Sequence, residues 1–253
     1  MRIVSLVPSV TKTVCDFGLR EHIVGITNFC VDPPDLWRTV RRIGGTKDPD
    51  LRAIANLDPT HIIANSEENR RDDIEALARD FNLLTTFPKS PNDVPGLLEG
   101  IGDFIGASHV GRKYANTCQS LLTELSRKSF THQFHGQKFL YLIWKDPWMA
   151  VGSDTYISRF LELLGLKNTI ATEDRYPVLD PKGPHWGAVD LIFMSSEPWP
   201  FRKRDAQELS SLLGSPVPPL YWIDGKAMSW HGGETISAME LWLRNKPPMR
   251  RLL

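Results

Sequence analysis

The chain has 253 residues, with 30 Lys plus Arg against 30 Asp plus Glu, 41% apolar and 24% charged. A formal net charge of zero leaves no basic field to collect nucleic acid or anionic lipid, so no nucleic-acid or membrane-surface partner is expected. The longest apolar runs, over 139–144 and 191–194, fall far short of the roughly 20 residues a membrane helix needs.

At about 150 residues per domain the length allows one large α/β unit or two modest lobes. Short β-branched runs alternate with longer stretches of three-and-four apolar spacing, the mark of βα units. The pattern predicts strands over 3–7, 23–26, 62–64 and 83–87, and helices over 10–17, 51–56, 71–79 and 94–105. Ser9, Asp48 with Pro49, and Ser90 with Pro91 are the expected helix starts. The stretch 110–127 places Ala115, Cys118, Leu121, Leu122 and Leu125 on one side with no Pro or Gly after Gly111, and predicts one long connecting helix. A polar turn over 129–137 then leads to a second set: strands over 138–144, 149–151, 190–194 and 220–223, and helices over 158–164, 206–213 and 235–243. The expected architecture is α/β, with an N-terminal lobe over 1–106, a connecting helix over 107–128 and a C-terminal lobe over 129–253.

An internal echo supports two related lobes. Asp58-Pro-Thr-His-Ile-Ile-Ala-Asn-Ser-Glu67 resembles Gly187-Ala-Val-Asp-Leu-Ile-Phe-Met-Ser-Ser-Glu197, each an apolar strand ending in Ser and Glu. Open α/β sheets place ligands at the carboxyl ends of their strands, so these two loops are expected to face a cleft between the lobes.

Ser66-Glu67-Glu68-Asn69-Arg70-Arg71 is a polar cluster directly after a strand, and it serves equally as a solvated helix start. Ser195-Ser-Glu-Pro-Trp-Pro-Phe201 is more informative, because two prolines stiffen a loop carrying Trp199, Phe201, two hydroxyls and a carboxylate. Trp144, Trp148 and Tyr156 are expected near the same wall, with Ser153 or Asp154 capping the helix that follows. His132 and His135 lie three apart without a further ligand at zinc spacing. His231 either caps the last helix or faces outward. Gly44-Gly45-Thr46-Lys47 lacks the lead of a phosphate loop and reads as a connection, and no nucleophile elbow or dinucleotide fingerprint is present. Cys15, Cys30 and Cys118 form no close pair and read as reduced, idle thiols. After Arg2 the apolar stretch meets Pro8 too soon for a secretory leader. The chain as given therefore reads as cytoplasmic, and as periplasmic or extracellular if a leader has been lost.

Arg2-Ile-Val-Ser-Leu-Val-Pro-Ser-Val-Thr11, Ile23-Val-Gly-Ile-Thr27, Asp32-Pro-Pro34, Ile43-Gly-Gly45 with Pro49-Asp-Leu51, and Leu57-Asp-Pro59 resemble the iron-siderophore and cobalamin substrate-binding proteins of ABC importers, the helical-backbone metal receptor type. The likeness continues through Val151-Gly152, 160–165 with Asn168, and Asp190-Leu-Ile192. It implies two three-layer α/β lobes joined by one long rigid helix, with a metal chelate held in the cleft between them. Cobalamin or another corrinoid, haem and a ferric siderophore are the ligand classes implied, with no obligatory cofactor, no catalytic residue, no assigned metal ligand and a monomeric state. Phe29 stands where cobalamin-binding members carry an aromatic. With it, Trp144, Trp148, Tyr156, Trp199, Phe201 and Trp230 are the expected apolar contacts. Glu67, Asn69, Ser196, Glu197 and Asp224 are the expected polar ones. Arg52 occupies the position where the resemblance implies a permease-docking glutamate, and 180–184 contains no Glu, which counts against docking on an ABC permease. Ser195 to Pro198, Asp224-Gly225 and Ser229-Trp230 match unsecreted relatives. The competing expectation is a cytoplasmic enzyme acting on a small molecule in the same cleft, with Glu67 or Glu197 as general base.

Overall fold

The computed structural model describes residues 1–170 and 175–253. The chain divides into two compact units, one of Met1–Pro88, Asp93–Gln119 and Trp230–Ile236, the other of Lys89–Asn92, Ser120–Ser229 and Ser237–Leu253. The division differs from the boundaries read from the sequence at residues 89–92, which belong to the second unit, within the connecting helix, which parts between Gln119 and Ser120, and at residues 230–236, which belong to the first unit. There Gly233 N donates to Thr13 Oγ1 at 3.2 Å, and Ser9 Oγ lies 3.3 Å from His231 Nδ1.

The first unit begins with β1 (Ile3–Ser5), α1 (Pro8–Asp16), β2 (Ile23–Ile26), α2 (Pro34–Thr39), β3 (Arg41–Arg42) and α3 (Leu51–Asn56). It continues with β4 (His61–Asn65), α4 (Arg71–Asp80), β5 (Leu83–Thr86) and α5 (Val94–Phe104), and then enters α6 (Ser108–Lys128). The strands form a parallel sheet in the order β3-β2-β1-β4-β5. Ile3, Val4, Ile62 and Ile63 are buried, as near-continuous apolar strands covered on both faces must be. The order reverses between β1 and β4, which makes the carboxyl ends of these strands the switch point where such sheets bind ligands.

Two helix starts differ from the sequence reading. Pro8 fills the first position of α1, where its missing N–H costs nothing, so Ser9 sits inside the helix, buried and not capping. Asp50, not Asp48, caps α3, accepting from Ala53 N at 2.9 Å. Helices α5 and α6 meet at bare backbone: a Cβ on Gly102 would stand 2.8 Å from Gly111 Cα, and one on Gly111 2.7 Å from Leu98 O. Along α6 the buried residues Ala115, Cys118, Leu122 and Leu125 follow the expected stripe, and Arg127 with Lys128 place positive charge at its carbonyl end.

The second unit contains β6 (Lys138–Trp144), β7 (Met149–Ala150), α7 (Tyr156–Leu163), β8 (Lys167–Asn168), β9 (Leu191–Ser195), α8 (Lys203–Leu213), β10 (Leu220–Ile223), α9 (Gly225–Ser229), α10 (Gly233–Leu243) and β11 (Met249–Arg251). The first residues of α10 belong to the first unit. Strands run in the order β11-β10-β9-β6-β7, with β8 also on β6. The inner strands β10, β9 and β6 are parallel, and β11 and β7 close the edges antiparallel. Leu140, Leu142, Ile192 and Met194 pack into one apolar cluster. The alternate residues Tyr141, Phe193 and Tyr221 meet ring to ring, as a strand period of two requires. Thr155 caps α7 by accepting from Ser158 N at 3.2 Å, in place of Ser153 or Asp154. Among the described residues no helix is long and apolar enough to cross a membrane.

Candidate functional site

In the first unit the loops after β1 and β4 are tied together at the switch point. Asn69 is 3% exposed, and its Nδ2 donates to Leu6 O at 3.3 Å and Thr46 O at 2.9 Å while its Oδ1 accepts from Asn65 N at 2.8 Å. Asn65 Oδ1 in turn accepts from Glu67 N at 2.8 Å and Glu68 N at 3.2 Å. Asn69 is therefore a brace holding the loop, which corrects its expected place as a rim contact. Both Nδ2 protons and one Oδ1 lone pair are thus spent on three buried backbone groups, which leaves a single acceptor site on a side chain that is almost wholly buried. Lys47 Nζ donates to Glu67 O at 2.5 Å, so the Gly-Gly-Thr-Lys stretch is part of the same structure and more than a connection. A Cβ on Gly45 would collide with Asp48 Oδ1 at 2.1 Å and stand 3.5 Å from Phe29 Cε2. Phe29 thus lies over a glycine and leaves its ring 59% exposed.

Beneath this rim Thr11 Oγ1 donates to Ser5 Oγ at 2.8 Å and approaches Cys30 Sγ at 3.1 Å, and Thr27 Oγ1 lies 3.2 Å from the same sulfur. Burial pushes the Cys30 thiol up, that of Cys15 to about 11 and that of Cys118 to about 12, so all three stay protonated and inert at neutral pH. The sequence reading missed the Ser9 and His231 pair, which lies 222 residues apart along the chain. Burial holds His231 down at about 4, against a smaller upward pull from the Glu67 carboxylate. The imidazole is neutral at pH 7.

In the second unit the loops after β6 and β9 meet at the corresponding switch point. Trp199 N donates to Ile143 O at 3.2 Å, and the Trp144 and Trp199 rings stand edge to face with centroids 5.3 Å apart. Trp144 is 37% exposed and Trp199 partly buried. Trp148 and Phe201, expected at the cleft edge, stack on each other at 5.9 Å inside the apolar core, 4% and 2% exposed. The reason is burial: the proline-framed loop packs Trp199 part-buried against that core and sinks Phe201 into it. Tyr156 is likewise buried, with its ring toward Phe160, instead of standing at a rim.

Ser196, Glu197 and Asp224 form an interlock. Gly225 N donates to Ser196 Oγ at 2.8 Å, Ser229 Oγ approaches Glu197 Oε1 at 3.3 Å, and Asp224 Oδ1 accepts from Lys226 N at 3.0 Å to start α9. A Cβ on Gly225 would stand 2.5 Å from Glu197 Cγ and 2.6 Å from Ser195 Oγ, so only glycine admits this approach. Ser195 Oγ also meets the buried Tyr141 hydroxyl at 3.1 Å, and burial raises that phenol well above its ordinary value. Trp230 is buried. Among the described residues no group of three or more His, Cys, Asp or Glu is placed to hold a metal ion.

Residues 3–212 match the family described as periplasmic binding protein, and the chain belongs to that family. It is 25% identical over 178 residues to the uncharacterized ABC transporter substrate-binding lipoprotein YvrC of Bacillus subtilis, a match covering 68% of this chain and 56% of that protein. It is 22% identical over 178 residues to the vitamin B12-binding protein of Vibrio cholerae, covering 70% of this chain and 63% of that one. The matches thus span less than two thirds of these relatives' lengths. The periplasmic heme-binding protein RhuT from Roseiflexus shares the fold, with a TM-score of 0.82 at 17% identity, covering 97% of both chains.

Proposed function

We propose that the chain is a binding protein for a metal chelate of the corrinoid, haem or ferric-siderophore class, contacted by the loops at the carboxyl ends of the strands. The observation that carries this reading is the pairing, at strand-end loops, of partly exposed aromatics with braced polar groups: Phe29 beside the Asn65 and Asn69 loop, and Trp144 with Trp199 beside Ser196 and Glu197. Large planar rings offer area to a macrocycle or a catecholate, and the rim supplies orientation. The names of the vitamin B12 and heme relatives support the class. The enzyme reading is not carried forward, since the named relatives are binding proteins. The bound chelate is cargo, and the protein works as a monomer. Arg52, exposed in the first turn of α3, keeps the proposal from extending to docking on a permease through a glutamate at that position.

Native mass spectrometry and an absorption spectrum of protein from its own host, then fluorescence titration with cobalamin, haem and ferric siderophores, test it. One class is expected to bind stoichiometrically. Trp199→Ala and Phe29→Ala are each expected to weaken that binding by about tenfold or more, the effect of losing an aromatic anchor. Indifference to every chelate would refute the reading.

A further inference from the structure

Beyond Gln119, the stretch Trp230–Ile236 lies in the first unit although the residues on either side of it belong to the second. The chain is fastened in the same way before and within this passage. A helix leaves its first N–H groups without partners in its own backbone, so they are satisfied from outside. The first N–H of α9, that of Gly225, donates to Ser196 Oγ at 2.8 Å, in the loop after β9. The first N–H of α10, that of Gly233, donates to Thr13 Oγ1 on α1 at 3.2 Å. Bare backbone admits both approaches. A Cβ on Gly225 would stand 2.5 Å from Glu197 Cγ, and one on Gly232 or Gly233 would collide with Thr13 Oγ1 or Asp16 Oδ2. Gly232 also holds a φ of +99°, which glycine adopts without strain.

Between α9 and α10 run Trp230, His231 and Gly232 alone, and all three are buried. So short a connector, packed on its whole length, has no slack to absorb movement of either helix. It lies along one face of α1, where Ser9, Thr13 and Asp16 follow at helical spacing. Lys12 Nζ, 3.0 Å from Asp16 and 4.0 Å from Glu234, adds an ionic contact at the start of α10. Helix α1 in turn supports the loop that carries Phe29, since Thr11 Oγ1 approaches Cys30 Sγ at 3.1 Å. On the other side, Ser229 Oγ approaches Glu197 Oε1 at 3.3 Å, so α9 is tied to the loop after β9 at its last residue as well as its first.

We propose that residues 225–236 are a strap that opens and closes as one cooperative unit, coupling the loop at Ser196 and Glu197 to α1 and, through Cys30, to the loop at Phe29. Proteins open locally in contiguous cooperative segments, and a segment held at both ends with no slack between opens whole. The coupling is reciprocal: whatever steadies the Ser196 loop steadies the docking on α1, and the reverse.

Hydrogen exchange of the full chain, followed amide by amide in ¹H–¹⁵N spectra with no ligand added, tests the strap. Thr13→Val keeps the branched shape and removes the acceptor at the α1 end. It is expected to speed exchange at Gly233 about fivefold, the worth of one net hydrogen bond, and exchange at Gly225 by a similar factor. Ser196→Ala, at a partly exposed position, is the reciprocal variant, expected to speed both amides alike, and it carries the test if Thr13→Val does not fold. The amides of Leu6 and Ile192, bonded to Ile63 O at 2.9 Å and Pro219 O at 3.0 Å, are expected to keep their rates. A rise confined to the altered end overturns the proposal, as does no change at either end. A rise shared by Leu6 and Ile192 overturns it too, because the whole chain would then be opening. None of these readouts needs a ligand, so a failure of chelate binding leaves the strap untouched.

Discussion

His231 is neutral because it is buried beside Ser9, and that has a measurable cost as the pH falls. The imidazole titrates near its ordinary value of 6.5 in the unfolded chain and at about 4 in the folded one, with burial as the leading cause. Between those values the unfolded state holds more protons, so stability is complete above pH 6.5 and declines as the pH falls toward 4. Full expression of the shift would amount to about 3 kcal/mol. His61 and His132 are lowered by burial in the same sense, so the wild type alone does not isolate the effect. His231→Gln keeps a polar group near Ser9 and removes the titration. Urea unfolding at pH 7 and pH 4.5 is expected to show a smaller pH-dependent loss in the variant, and equal losses would place the titration elsewhere.

Between elements, close approach is set by missing side chains. The contact of α9 with the loop after β9 depends on Gly225, whose added Cβ would meet backbone at Glu197 N, 3.0 Å away, as well as the Glu197 and Ser195 side chains. Backbone cannot swing aside as a side-chain end does. Gly225→Ala is therefore expected to cost about 2 kcal/mol, in the range of overpacked cores, and to lower the urea midpoint with the slope unchanged. Gly100→Ala on α5, where a Cβ meets nothing within 4 Å, is the control and is expected to gain up to about 1 kcal/mol. This distinction also marks what the sequence could say. The apolar periods located the main helices and strands, because burial on a helix stripe or a strand face leaves a period. The two-residue strands β3 and β8 and the short helices α2 and α9 are shorter than any period and were missed. The loops after β4 and β9 were legible as Ser-Glu strand ends. That Asn69 braces its loop, or that Phe201 enters the core while Trp199 packs only partly against it, depends on contacts between residues remote in sequence. Ser9 and His231 carried no sequence signal as a pair.

For the molecule as a whole, equal numbers of positive and negative residues constrain how a charged chelate is captured. Electrostatic steering needs a net field that reaches beyond the local screening length, which shrinks from about 10 Å at 0.1 M salt to about 3 Å at 1 M. With 30 charges of each sign the net-charge part of that field is absent. Recognition is then left to short-range contact with aromatic rings and hydrogen-bonding groups, which salt screens little. If haem is the bound class, its anionic propionates make the test sharp. Its association rate, followed by stopped-flow absorbance, is expected to change by less than about threefold between 0.1 M and 1 M salt. A tenfold fall would mean that a local cationic cluster steers the ligand despite the neutral total. Lys47, held at the Glu67 carbonyl, would be the first side chain to replace in that case.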